Sequence, residues 1–248
     1  MMGRTVVKTG LFSRMGDLDT GGMEKNYKGL AIHALNGLHE FVGDKVKELF
    51  FDSANLLDLA AGSGALSLRL QDMGFKITAY DYEENNFRLK QSIKFNQVDL
   101  NNDFSKISDC LYDGVIAVEI IEHLENPRHL IREIYDSLVP GGKVLITTPN
   151  IDNPVSLAFY VRFGWFQWFS DENYNNEGHI TPVSQHWMNK FLLEAGFVDV
   201  DFVSYGDPFR VLVGWPKMKY FARLLSFLTS IDKSKQGEIM VVSARKPN

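Results

Sequence analysis

The segment E-I-I-E-H gathers Glu119, Glu122 and His123. Spacings of three and four put such side chains on one face of a helical turn. Carboxylates and an imidazole so placed can help an acceptor hydroxyl lose its proton. His179 lies far along the chain, in an expected loop before a helix, and can converge on the same rim. A second constellation sits in L-D-L-A-A-G-S-G-A-L-S. Gly62 and Gly64 fit a turn where φ is positive or where a ligand touches backbone. Asp81 follows about 20 residues later, where a carboxylate can accept two hydrogen bonds from a ribose diol. A G-x-G pair that merely closes a tight turn is the bland alternative. The flanking strand and helix, and the acids ending the next two strands, weigh against it. A dinucleotide site would carry a third glycine at position 67, where Ser67 stands. The expected ligand therefore lacks a pyrophosphate, and an NAD(P)-dependent oxidoreductase is the competing class.

These residues act together only if the fold brings them to one edge. The apolar pattern predicts strands over 55–60, 76–80, 93–98, 113–118 and 143–148, alternating with helices over 65–73, 83–92 and 126–138. Residues 24–51 read as one or two helices. Gly74 and Pro140-Gly141-Gly142 read as helix stops. An aromatic-rich helix is expected over 155–169. Another is expected from an N-cap at Thr181, with Pro182 next, to Ala195. Closing strands are expected over 197–205 and 238–244. Alternation of this kind implies a Rossmann-like, doubly wound α/β fold with a mainly parallel seven-stranded sheet and helices on both faces. Ligands bind such sheets beyond the carboxyl ends of the strands, where Asp58, Asp81, Asp99 and Glu119 fall. We expect one domain over 1–248, with a loose arm over 1–21 and cap or lid insertions over 151–180 and 207–231.

The motifs LLDLAAGSGALSLRL, AYDYEE, FNQVDLNNDF and YDGVIAVEIIEHLENPRHLIREIYDSLVPGGKVLITTPN resemble those of the class I S-adenosylmethionine-dependent methyltransferases. The resemblance covers residues 50–150 well and 179–200 moderately. It implies that Asp58 and the backbone around Ala60, Gly62 and Gly64 hold the methionine part. It further implies Asp81, with Tyr82 beside it, on the ribose hydroxyls, Asp99 and Leu100 at the adenine, and Glu119 near the methionine moiety. Ala60 stands where the family often has glycine. The E-x-x-E-H segment resembles two metal-using branches, the ubiquinone-pathway O-methyltransferases and the small-RNA 2′-O-methyltransferases. That likeness implies Glu119, Glu122, His123 and His179 as ligands of Mg²⁺ or Mn²⁺, with Zn²⁺ permitted by two imidazoles. Without a metal, His123 is expected either as a general base or as a hydrogen-bonding partner of a nearby loop.

The remaining numbers narrow the acceptor. With 26 basic and 31 acidic residues the net charge is −5, which does not favour a nucleic-acid backbone. The single cysteine, Cys110, rules out an intrachain disulfide and fits a cytoplasmic protein. No leader pattern and no apolar run long enough for a transmembrane segment is seen. The aromatic stretch 159–174 reads either as an acceptor wall or as a packing helix. Residues 208–231 mix apolar and basic side chains, as a lid, a dimer surface or a peripheral membrane helix would. His33, His39, His129 and His186 read as surface or packing residues of amphipathic helices. The expected function is methyl transfer to a hydroxyl of a small molecule or glycan. Metal-dependent RNA 2′-O-methylation and a non-catalytic cofactor-binding module are the alternatives.

Overall fold

The computed structural model describes residues 26–248, so the expected arm over 1–21 lies outside the described residues. Two short strands, β1 (Asn26–Tyr27) and β2 (Leu30–Ala31), form an antiparallel hairpin before α1 (Leu38–Leu49). The helical reading of residues 24–51 is therefore corrected in its first half. Lys28 and Gly29 both have positive φ and close the hairpin turn, which a helix cannot accommodate.

The central sheet contains β3 (Asn55–Leu59), β4 (Lys76–Asp81), β5 (Lys94–Gln97), β6 (Tyr112–Val118), β7 (Leu138–Pro149), β8 (Val198–Tyr205) and β9 (Ile239–Arg245). Its order is β5-β4-β3-β6-β7-β9-β8. The pairings among β3 to β7 are parallel, and β9 runs antiparallel between β7 and β8. This is the Rossmann-like doubly wound sheet expected from the alternation. The period of two in β3 sends Leu57 and Leu59 into one core layer and Leu56 into the other. The first layer is closed by Leu130, Ile131 and Ile134 of α3 (Pro127–Ser137). The second is closed by α1 and by α2 (Ala65–Asp72), through Val42, Val46, Leu66 and Leu70.

Several expected elements differ, each for a local reason. Residues 83–92 form turns rather than a helix. Asp81 Oδ1 accepts the Glu83 N–H at 2.8 Å and Glu83 Oε1 accepts the Asn85 N–H at 3.1 Å, competing with helical bonding. Pro140-Gly141-Gly142 lies inside β7 rather than in a helix-terminating loop. The aromatic helix is shorter: α4 (Pro154–Phe163) starts at Asn153, whose side chain caps two N–H groups, and stops at Gly164 with φ 83°. A separate helix, α5 (Asp171–Asn176), follows. Thr181 is not the cap of α6 (Gln185–Ala195). Its hydroxyl donates to the Leu124 carbonyl at 2.6 Å, and Ser184 caps α6 instead. The lid stretch holds a 3-10 turn, Pro208–Leu212, and α7 (Pro216–Leu228). Val211, Leu212 and Ala222 pack with Val155, Ala158 and Phe159 into a separate small core that carries this cap.

Candidate active site

A cavity of about 880 Å³ opens at the carboxyl ends of β3, β6 and β7, with Gly206, Asp207 and Arg210 along one side. Its walls include Asp58, Ala60, Gly62, Glu119, Glu122, His123, His179, Arg210 and Glu238. The glycine turn forms its upper edge. Ala60 has φ 58° and Gly62 φ 54°, and no atom lies within 4 Å of where a Gly62 Cβ would stand. That open cradle can admit a ligand against backbone. Gly64, with φ 91°, instead meets Leu89 and Phe87 at 2.9 and 3.0 Å from the position of a Cβ, so packing and backbone both exclude a side chain there. Asp58 is buried on β3 and accepts the Ser67 hydroxyl at 2.5 Å. Ser67 thus anchors a carboxylate where a dinucleotide fold would place glycine. Burial pushes the Asp58 carboxyl up to about 7, the Asp81 charge adds to this, and Ser67 opposes it.

Asp81 Oδ2 accepts the Gly62 N–H at 2.7 Å, tying the end of β4 to the glycine turn. Tyr82 is largely exposed beside it. Asp99 accepts from the Asn101 N–H and from the Asn101 and Asn102 side chains at 3.0 to 3.2 Å. Leu100 points into the core with Leu57 and Phe104. Burial of its apolar surface draws that side chain inward. These four residues lie beyond the cavity walls, at the open β4–β5 end of the same edge.

The E-I-I-E-H segment is not the helical turn its spacing implied. Glu119 sits at φ 50°, and only Ile121–His123 forms a 3-10 turn. Glu119 Oε1 accepts the Thr147 hydroxyl at 2.8 Å. Burial pushes its carboxyl up to about 7. Glu122 is fully buried. Its Oε2 accepts the Thr148 hydroxyl at 2.9 Å, while Oε1 has no hydrogen-bond partner. Burial, then the Glu119 charge, raises the Glu122 carboxyl well above the ordinary range. That oxygen lies 4.0 Å from His123 Nε2. The His123 and His179 rings are 4.8 Å apart, edge to face. Burial and His179 lower the His123 pKa, leaving a neutral imidazole at neutral pH. His179 Nδ1 lies 2.7 Å from the Trp168 carbonyl. A carbonyl only accepts, so Nδ1 is the donor in this contact. Ligand atoms of Glu122, His123 and His179 all lie within 4.8 Å of one another, so these donors fit a divalent ion. Glu119, the fourth expected ligand, is outside that group. Its strained backbone and its bond to Thr147 turn it toward β7.

Arg210, in the stretch after β8, completes the wall. Arg210 Nε and an Nη donate to fully buried Glu238 at 2.6 and 2.8 Å, and the guanidinium lies 5.8 Å from the Trp168 ring centre. Trp168 therefore links the lid to His179. The sequence reading missed Glu238 as a site residue. The signal was an acid opening the apolar strand I-M-V-V. His33 and His39 also line the cavity, and His39 is a buried packing residue of α1, as expected. His33 follows β2 outside any helix, and burial pulls His39 down to about 4.

With the geometry in place, the relatives become informative. The chain matches the model of the methyltransferase domain family over residues 34–201 and belongs to that family. Its cofactor is S-adenosylmethionine, and the fold is that of the class I S-adenosylmethionine-dependent methyltransferases. Among individual proteins, it is 33% identical over 127 residues to a ubiquinone biosynthesis O-methyltransferase of Rickettsia felis, covering 48% of this chain and 52% of that protein. The chain thus spans about half the length of such relatives. A methyltransferase structure from Archaeoglobus fulgidus aligns with TM-score 0.59 at 19% identity, over 84% of this chain and 94% of that one. A phosphoethanolamine N-methyltransferase 2 of Haemonchus contortus, in complex with S-adenosyl-L-methionine, aligns with TM-score 0.58 at 15% identity, over 98% and 58%. At such identity these structures speak for the fold alone.

Proposed function

We propose that the chain transfers a methyl group from S-adenosylmethionine to a hydroxyl oxygen of a small molecule or glycan. The observation that carries the reading is Glu122 Oε1, buried without a partner and facing His123 and His179 across the cavity. In this reading the chain is one domain over 1–248, capped by 151–180 and 207–231, with a cytoplasmic address. Among the described residues no helix is long and apolar enough to cross a membrane.

Asp58 receives the cofactor's ammonium group, and the backbone at Ala60, Gly62 and Gly64 follows its methionine chain. Asp81 accepts from the ribose hydroxyls. Asp99 turns to the adenine, with the backbone of Leu100 beside it. Glu119, at the end of β6, borders the methyl-bearing end. The bound sulfonium supplies an already activated methyl group. The protein aligns acceptor and donor and closes water out with the Arg210 lid. His123 is the base: neutral at physiological pH, it takes the proton of the acceptor hydroxyl, and buried Glu122 orients the ring.

The three-donor cluster supports a second reading. Glu122, His123 and His179 would hold Mg²⁺ or Mn²⁺, which when bound favours the anionic form of an acceptor oxygen. Calorimetric titration of Mn²⁺ into protein saturated with S-adenosylhomocysteine separates the two. One bound ion in wild type, lost in Glu122→Ala with unchanged circular dichroism, is the outcome expected of a metal centre. Absence of heat in wild type returns His123 to the base role with single-hydroxyl acceptors. Methylation of amines but of no phenol, catechol or sugar in an acceptor panel would overturn the oxygen assignment.

A further inference from the structure

The lid faces two ways. Its first turn supplies Arg210 to the cavity wall, and its helix α7 turns an unusual face to solvent. Met218, Phe221, Ala222 and Leu225 pack into the small cap core. The opposite side should then be polar in a helix that ends at water. It is apolar instead: Tyr220 is 72% exposed, Leu224 53%, Phe227 84% and Leu228 66%. Spacings of four, three and one keep these four side chains within one stripe of the helix. Lys217 and Arg223 are exposed on the same helix and Lys219 is half-buried. P-K-M-K-Y-F-A-R-L-L-S-F-L contains no acidic residue, although the chain as a whole carries a net charge of −5.

We infer that the outer face of α7 docks the protein on an anionic lipid surface. Aromatic and leucine side chains enter the boundary between headgroups and acyl chains, and the three cations meet lipid phosphates. The helix is about 20 Å long and lies in the interface plane, since none of the described helices can span a bilayer. A second copy of the chain is a poorer occupant. A two-fold contact through this face would bury basic side chains with no acidic residue on the helix to pair them. The inference does not depend on which atom the enzyme methylates. Its consequence is that an acceptor partitioned into a membrane would reach the cavity through the lid side.

The test is flotation of the full chain with vesicles of phosphatidylcholine alone and of phosphatidylcholine with phosphatidylglycerol, beside light scattering without lipid. A monomer that floats with the anionic vesicles and is released by high salt is expected. Leu224→Ser with Phe227→Ser should weaken binding by more than tenfold, on the order of tenfold for each large side chain withdrawn from lipid. Lys217→Glu or Arg223→Glu should weaken it by at least roughly fivefold per charge. All four positions are exposed, so S-adenosylhomocysteine binding and melting temperature report that each variant is folded and stay at wild-type values. Failure of wild type to float with either vesicle, equal binding to both, or a dimer that the Leu224→Ser, Phe227→Ser variant dissolves would overturn the inference. None of these outcomes alters the methyl-transfer reading, which the acceptor panel tests separately.

Discussion

Asp81→Ala is expected to weaken S-adenosylhomocysteine binding on the order of 100-fold. Each hydrogen bond from a ribose hydroxyl to a carboxylate contributes roughly 1.5 kcal/mol or more, and two are lost together. The same substitution strips the Gly62 N–H of its 2.7 Å acceptor, so the turn that follows the methionine chain loosens as well. Asp81→Asn separates the two effects. Its amide oxygen still accepts from Gly62, while its NH₂ group can accept neither from a ribose nor from the Glu83 N–H, so an intermediate loss is expected. Calorimetry reads all three proteins directly. An Asp81→Ala affinity within threefold of wild type would remove the ribose from the end of β4.

Arg210→Ala is expected to destabilise the fold by about 3 kcal/mol, because removing one partner leaves a buried carboxylate unpaired. Glu238 is fully buried, and burial already raises its pKa against the opposing pull of Arg210. The sign follows from that direction. A carboxyl whose folded pKa lies above its unfolded one loses stability as pH rises from the ordinary carboxylate range through its folded value. Without Arg210 the folded value climbs further, so the deficit grows toward neutral pH and shrinks in acid. Arg210→Ala combined with Glu238→Gln should recover most of the loss at neutral pH, since the unpaired charge is gone. Urea denaturation at neutral and acidic pH measures both claims. Simple additivity of the two substitutions would show that lid and sheet are not coupled through this pair.

The sheet was legible because strand and helix periods are local properties of the chain. From Asn55 to Pro149 the strands and the G-x-G edge could be read from local periods without tertiary knowledge. Where side chains compete with the backbone the reading failed. Asp81, Glu83 and Asn85 divert residues 83–92 into turns, and the Thr181 hydroxyl goes to Leu124 rather than capping α6. The site divides in the same way. Gly62, Gly64 and Asp81 stand at fixed offsets that the sequence displays. The meeting of Glu122 and His123 with His179 depends on the Trp168 carbonyl holding one ring. Glu238 reaches the cavity only because β9 is inserted between β7 and β8. Such contacts join distant segments and leave no periodic trace. Glu119 shows the converse error: its spacing fits a helical face, but the backbone turns left-handed at that residue.

The most direct measurement is calorimetric titration of S-adenosylhomocysteine into the full chain at pH 8 and pH 6, in buffers of different ionisation enthalpy. One molecule should bind in the micromolar range at pH 8. Asp58 starts near pKa 7 in the free protein, and an ammonium partner lowers that value in the complex. Affinity is therefore complete above neutrality and falls by about tenfold per pH unit below it, with a proton released on binding at pH 6. Binding that is absent at both pH values would contradict the assignment of this cavity to the cofactor. Binding without proton release at pH 6 would move the ammonium away from Asp58.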